Sequence, residues 1–79
     1  MSVYDDIREE RDLQRGKGWT ESHDDGHRLH DWCALLASWV GKLAWNTTKG
    51  GRRRVLLGIA AIAVAALESH DRREKGILQ

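Results

Sequence analysis

The residues best suited to chemistry lie in a short histidine- and aspartate-rich cluster near the middle of the chain. His23, Asp24, Asp25 and His27 fall within five positions. Imidazole nitrogens and carboxylates are ligands of Zn²⁺ and Mn²⁺, so these four residues are candidate metal ligands. The cluster lacks a cysteine pair, and it lacks an i,i+4 histidine pair with an adjacent glutamate. Its spacing therefore matches no specific metal motif.

Two other interpretations of this cluster stay open beside the metal site. Aspartate and histidine side chains in a polar loop hydrogen-bond the backbone of turns and cap the following helix. The same side chains can also form a surface for a polar ligand or a protein partner. We expect Asp24 and Asp25 to serve local order. We expect the protein to hold no cofactor. The alternative is that it binds Mg²⁺ or Zn²⁺.

A second candidate surface is the basic run Arg52, Arg53 and Arg54. These residues precede an apolar helix, where positive charge opposes the helix dipole, so they are not there for helix stability. They can contact phosphates or an acidic partner, or they can form a solvated first turn. Nucleophilic catalysis has little support, because Cys33 has no activating partner in the sequence and is expected to be a small core residue.

Length and charge limit what the chain can be. Seventy-nine residues, 1–79, make a single small domain, and one cysteine excludes an internal disulfide. Thirteen basic residues against twelve acidic ones give a net charge of +1, which does not favour nucleic-acid binding. The one apolar run, 55–67, is shorter than the about 20 residues of a membrane span. A lone thiol without an export signal is typical of the cytoplasm.

The elements that must position these residues are helices. Hydrophobic periodicity and turn signals predict an all-α chain with helices at about 3–15, 30–45 and 52–74. Ser2 is the expected N-cap of the first helix. The segment 16–29 has neither a helical nor a strand period, so it is predicted to be an ordered polar loop anchored by Trp19.

The third predicted helix is apolar on every side between positions 55 and 67. A helix of this kind must be covered all round. Two shorter helices cannot enclose it, so we expect a homo-oligomer, most simply a dimer that forms a helical bundle. The predicted interface consists of Val55, Ile59, Ile62 and Ala66.

Several short motifs follow one another in a distinctive order. They are I-R-E-E-R at 7–11 with Gln14 after it, K-G-W-T at 17–20, H-D-D-G-H at 23–27, and the segment 59–68, which is apolar up to Glu68, with Asp71-Arg72 behind it. In this order they resemble small phage and prophage proteins related to the MazG-like, all-α nucleoside triphosphate pyrophosphohydrolases. The resemblance spans nearly the whole chain.

The chain departs from that family where the family holds its metal. The resemblance implies an E-E-x-x-E motif on the second long helix, whose carboxylates hold Mg²⁺ at the triphosphate. In the register set by Val40-Gly41, those positions are Ser38, Trp39 and Lys42. None of the three can ligate Mg²⁺, so we do not expect a magnesium-dependent pyrophosphohydrolase.

Two functions follow as hypotheses from this combination. The first is a non-enzymatic phage or prophage protein that binds a host or defence protein, as small inhibitors such as anti-CRISPRs do. The second is a nucleotide-binding or residual MazG-like hydrolytic module, with Lys42 and the arginines on phosphate and with Gln14 and Trp19 near the base. The expected partner or ligand surface comprises Gln14, Lys17, Trp19, His23, Asp24, Asp25, His27, Lys42, Arg52, Arg53 and Arg54.

Overall fold

The computed structural model describes residues 2–46 and 48–75, and these form four helices: α1 Val3–Gly16, α2 Glu21–Asp25, α3 Leu29–Trp45 and α4 Lys49–Glu74. Every regular element in this part of the chain is helical, which confirms the all-α prediction. The three predicted helices are α1, α3 and α4. The short helix α2 lies inside the segment that was predicted to be a loop.

Local sequence explains how α1 begins and ends. The Ser2 hydroxyl accepts a hydrogen bond from the Asp5 backbone N–H at 3.1 Å, and the Asp5 carboxylate accepts one from the Ser2 N–H at 3.3 Å. This reciprocal pair is a capping box, as the Ser2 prediction required. Beyond the helix, Gly18 has a φ of 99°, a conformation that side chains with a Cβ rarely adopt. The chain turns there towards α2.

Helix α4 begins three residues earlier than predicted. The Thr48 hydroxyl accepts a hydrogen bond from the Gly51 N–H at 3.0 Å, so Thr48 is the N-cap. The polar residues and glycines at 46–51 are typical of a turn, which is why the predicted helix begins only at 52. A threonine cap satisfies one of the orphan N–H groups of the first turn, and the helix then runs through both glycines.

Helix α4 is the axis of the fold, and each of the other three helices packs against it. Asp6 pairs with Arg53 near the start of both helices and Arg11 pairs with Glu68 further along, so α1 runs parallel to α4. Helix α3 runs antiparallel, and its Trp32 joins Ile62 and Ala65 of α4 in the core. Ile62 and Ala65 are both fully buried.

This packing corrects the predicted interface residues. Val55 is 8% exposed and Ile62 is fully buried within the single chain, so neither faces a second copy. Ile59 and Ala66 are half-buried. The exposed apolar side of α4 is the opposite one, and it presents Leu56, Ala63, Val64 and Leu67, with Ala60 half-buried among them.

The molecule is correspondingly thin. Its extents are 43 × 28 × 20 Å, and the shortest of these is only about two helix diameters. No helix in the described ranges has both the length and the apolar character that a membrane span requires.

Candidate functional site

The candidate site is built around α2, which joins the end of α1 to the start of α3. The Thr20 hydroxyl caps α2 by accepting a hydrogen bond from the His23 N–H at 3.5 Å. Threonine is a preferred N-cap residue, and this was the one signal for a helix in the predicted loop. Because α2 lies against α4, the histidine- and aspartate-rich cluster sits at the C-terminal half of the central helix.

Asp24 is buried in an ion-pair network. Its carboxyl side chain is 1% exposed, and its Oδ2 lies 3.4 Å from Nη2 of Arg11, whose side chain is 5% exposed. The same Nη2 lies 3.4 Å from the Glu68 carboxylate, and Nη1 donates to Gln14 at 3.1 Å. Asp24 and Gln14 were predicted site residues, whereas Arg11 was missed. One signal in the sequence could have identified Arg11. It lies four positions after Ile7, so it is a charged residue on the side of α1 that carries the few apolar residues of this helix.

Asp25 fixes α2 to α4. The Arg72 Nε donates to the two carboxylate oxygens of Asp25 at 3.0 and 3.1 Å, and the Ser69 hydroxyl donates to one of them at 3.0 Å. The hydrogen bonds from Arg72 hold the pKa of the Asp25 carboxyl below its ordinary value, and they raise the pKa of Arg72. Arg73 adds Nη2 hydrogen bonds to the backbone carbonyls of Asp25 and His27, at 3.1 and 3.2 Å.

Four aromatic rings form a series across the site. Trp19 stacks on His23 with ring centroids 5.6 Å apart, His23 lies 4.8 Å from His27, and His27 lies 4.7 Å from Trp32. The Nδ1 of His27 is 3.1 Å from the His23 carbonyl oxygen. Because a carbonyl only accepts, that nitrogen carries the proton. The series links the loop anchor Trp19 to the core residue Trp32.

The predicted metal ligands take other partners in this arrangement. Both aspartate carboxylates meet guanidinium groups, those of Arg11 and Arg72. Among residues 2–46 and 48–75, no group of three or more histidine, cysteine, aspartate or glutamate side chains is arranged to hold a metal ion. The capping prediction also needs a correction, because Asp31 performs that role for α3. Its carboxylate accepts the Arg28 N–H at 2.8 Å, which lowers the pKa of Asp31.

An apolar cavity of about 320 Å³ opens beside the aromatic series. Its walls come from the start of α3 and the last turns of α4, and its lining residues are His27, Leu29, Trp32, Cys33, Leu36, Ala66, His70 and Arg73. Cys33 is exposed, so the expectation that it is a core residue is wrong. Leu29 is 80% exposed at the edge of the cavity. The lining thus combines an apolar wall with histidine and arginine side chains.

The remaining predicted site residues lie elsewhere. Lys17 is exposed just after α1. The Nζ of Lys42 lies 4.3 Å from the Trp39 ring centroid, and Arg53 pairs with Asp6. Arg52 and Arg54 are exposed on the first turns of α4.

The two predicted contact surfaces are therefore separate. The basic run at 52–54 and the α2 contact at Arg72 lie near opposite ends of α4. Positions 53 and 72 are nineteen residues apart in this helix, which corresponds to about 29 Å. One small ligand cannot touch both.

The three positions that the family resemblance assigns to metal-binding glutamates lie on α3. Ser38 and Lys42 are exposed, and Trp39 is half-buried against α4. A Cβ placed on Gly58 would lie 2.2 Å from the Trp39 ring, so the indole packs directly on the backbone of that glycine. Trp39 thus serves in packing, and the ammonium group of Lys42 lies over its ring.

Comparison of the chain with models of protein families, with curated proteins and with solved structures gives no match. The fold and the site therefore define the class of protein by themselves. It is an all-α protein in which the short helix α2 is held to the central helix by ion pairs, next to an apolar cavity.

Proposed function

We propose that this protein acts by binding another protein and does not act as an enzyme. The proposed partner is a host or defence protein, and the proposed setting is the cytoplasm of a host cell. The resemblance to phage and prophage proteins supports this setting, since small phage inhibitors such as anti-CRISPRs act by binding. Such an inhibitor needs a preformed surface more than it needs reactive groups.

The observation that carries the proposal is the cavity next to helix α2, which is already held in place. Asp25, Arg72 and Arg73 fix α2 by side-chain and backbone hydrogen bonds. A fixed surface loses little conformational entropy on binding, so more of the contact energy appears as affinity. The cavity of about 320 Å³ is large enough for an apolar side chain of a partner.

The chemistry of the cavity also describes the partner's contact residues. Leu29, Trp32 and Leu36 present apolar surface, whereas Arg73 and His70 lie in the same lining. An aliphatic or aromatic side chain next to a carboxylate fits this combination. The proposed partner therefore presents an apolar anchor residue flanked by an acidic one.

The contacts of Trp39 support binding over magnesium-dependent hydrolysis. Its ring fills the space above Gly58, and the Lys42 ammonium lies 4.3 Å from the ring centroid. A carboxylate at position 39 would be placed in a packed helix contact, where an unpaired charge is strongly unfavourable. Restoring glutamates at 38 and 42 is therefore not expected to create activity.

Site-specific photo-crosslinking tests the proposal. A photoreactive phenylalanine analogue at Leu29, which is 80% exposed beside the cavity, is expected to give a discrete adduct with one protein in host cells. The same analogue at Leu13, which is 49% exposed on α1, is the matched control and is expected to give none. Arg73→Glu should abolish the adduct from position 29. An adduct that Arg73→Glu leaves intact, or no adduct at all, contradicts the proposal.

Nucleotide binding is the second candidate, and one groove favours it. Between α1 and α4 lies a groove of about 490 Å³ that is lined by Tyr4, Ile7, Arg8, Arg11, Arg15, Val64 and Glu68. The Nε of Arg11 is buried and has no hydrogen-bond partner among the described residues. Three arginines and a tyrosine ring suit an anionic ligand with an aromatic group.

A thermal-shift panel separates the two candidates. The arms are nucleoside triphosphates with Mg²⁺, the same nucleotides without it, and Mg²⁺ alone. Nucleotide binding predicts a stabilisation of about 2.7 kcal/mol when the ligand is a hundredfold above its Kd, and Arg8→Gln with Arg15→Gln should remove it. The protein-binding proposal predicts no shift in any arm. Release of pyrophosphate that depends on Mg²⁺ would contradict both candidates and would show that the protein is a pyrophosphohydrolase.

A further inference from the structure

One side of α4 carries a regular heptad pattern that the single chain leaves mostly exposed, although Arg53 pairs with Asp6 of α1 and Ala60 is half-buried. Positions 49, 53, 56, 60, 63, 67, 70 and 74 alternate in spacings of four and three residues, so they follow one line along the helix. The residues there are Lys, Arg, Leu, Ala, Ala, Leu, His and Glu in that order. Leu56 is 52% exposed and Leu67 is 61% exposed. A seam of this kind is the pattern by which helices pair.

The pattern is self-complementary for a second copy that runs in the opposite direction. With the two-fold axis between positions 61 and 62, Leu56 faces Leu67 of the second copy and Ala60 faces Ala63. In the same register Lys49 faces Glu74. Each pair occurs twice, because in a two-fold interface residue i contacts j and residue j contacts i.

Charge decides the direction of the pairing. The seam is basic at its start, at Lys49 and Arg53, and acidic at its end, at Glu74. A parallel pair would place Lys49 on Lys49 and Glu74 on Glu74, which is repulsive. The antiparallel pair brings Lys49 and Glu74 together at both ends, and it places Arg53, which pairs with Asp6 of its own chain, opposite His70. The alanines at its centre let the two backbones approach closely.

We propose that two copies of this chain pair through the α4 seam as an antiparallel, two-fold dimer. The proposal goes beyond the proposed function, because it concerns self-association and of the cavity residues it uses only His70. It also replaces the predicted interface, since Val55 and Ile62 are buried inside the single chain. In this dimer the second copy covers the exposed leucines of α4 and adds a further layer of helices to the thin single chain.

A charge-exchange experiment tests the seam and its direction together. Sedimentation equilibrium at micromolar concentration is expected to give twice the chain mass of 9.0 kDa for the unmodified protein. The variant L56E/L67E places like charges opposite one another in the dimer and is expected to be monomeric. The variant L56K/L67E places the introduced lysine opposite the introduced glutamate of the second copy, and it is expected to restore the dimer. Leu13→Glu, on α1, is the matched control and should stay dimeric.

Each outcome decides the matter. An unmodified protein that is monomeric throughout the micromolar range overturns the proposal, as does a dimeric L56E/L67E. A monomeric L56K/L67E overturns the antiparallel register, because only that register places the opposite charges together. If L56E/L67E loses its helical circular dichroism, recovery of both helicity and dimer in L56K/L67E supports the seam, and failure to recover counts against it.

Discussion

Replacing Gly58 with alanine is expected to destabilise this protein, although alanine is the better helix former. A Cβ at this position would lie 2.2, 2.7 and 2.8 Å from three carbons of the Trp39 ring. Carbon atoms in good contact are about 3.5–4.0 Å apart. The indole must therefore move by more than about 1 Å, or α3 must move away from α4.

The expected size of the effect follows from two opposing terms. Overpacking a well-packed contact costs about 1–3 kcal/mol. The upper end applies here, because Trp39 packs against the core and the Lys42 ammonium lies over its ring. Alanine in a helix interior recovers about 1 kcal/mol relative to glycine. The free energy of unfolding should fall by about 2 kcal/mol, which lowers the Tm by roughly 8–16 °C.

The matched control is Gly41→Ala, in the interior of α3. A Cβ at position 41 meets nothing within 4 Å, so only the helix-propensity gain applies. This variant is expected to be more stable than the unmodified protein by about 0.5–1 kcal/mol. The two variants should thus differ in sign, although each exchanges the same pair of residue types.

Thermal and urea unfolding, followed by circular dichroism at one fixed chain concentration, measure both effects. The concentration is fixed because self-association makes the Tm depend on it. In a Trp39→Ala background, Gly58→Ala should lose its penalty, since no ring then occupies the space. A Gly58→Ala protein that melts at or above the temperature of the unmodified protein would refute this account of the α3–α4 contact.

Three further outcomes are expected. The folded pKa of Asp25 lies below its ordinary 3.8 because Arg72 hydrogen-bonds it, so its stabilisation is present above about pH 4 and is lost as the pH falls through the folded pKa. Urea unfolding should show Asp25→Asn to be less stable at neutral pH but to lose less stability on acidification; equal acid sensitivity would contradict this. Arg11→Ala should lower the free energy of unfolding by about 3–5 kcal/mol, because it leaves the Asp24 carboxyl buried without its guanidinium, whereas Arg8→Ala should change it by less than about 0.5 kcal/mol. Cys33, which is exposed, should react fully with a disulfide reagent without denaturant, and Cys33→Ser should abolish the reaction; a thiol that reacts only after unfolding would show that it is buried.

The long helices could be predicted from the sequence because their signals are local. Ser2 and Asp5 lie three residues apart and form the capping box of α1 by themselves. Trp32, Leu36 and Trp39 recur at spacings of four and three residues, which is typical of a helix with one buried side. Helix α2 has only a threonine cap and five polar residues, and without apolar periodicity it was indistinguishable from a loop.

The ion pairs of the site could not be predicted, because their partners are distant in the chain. Arg11 meets Asp24 thirteen residues away, and Asp25 meets Arg72 forty-seven residues away. The sequence identified both aspartates as significant and left metal binding, capping and partner contact open. A carboxylate serves equally well as a metal ligand or as an arginine partner, so only the position of the arginines decides between them.

The orientation of α4 about its own axis explains why the helix could be predicted while its buried side could not. A helix that is apolar on every side must be covered on every side, but its periodicity does not tell which side meets its own chain. Gly58 supplies that information, because a ring as large as Trp39 can approach a helix backbone closely only where there is no Cβ. Placing Gly58 beneath Trp39 turns Val55 and Ile62 inward, and the opposite side, at Leu56 and at Leu67 further along α4, is left uncovered. A single glycine therefore fixes both the core of the protomer and the surface through which we propose that the dimer forms.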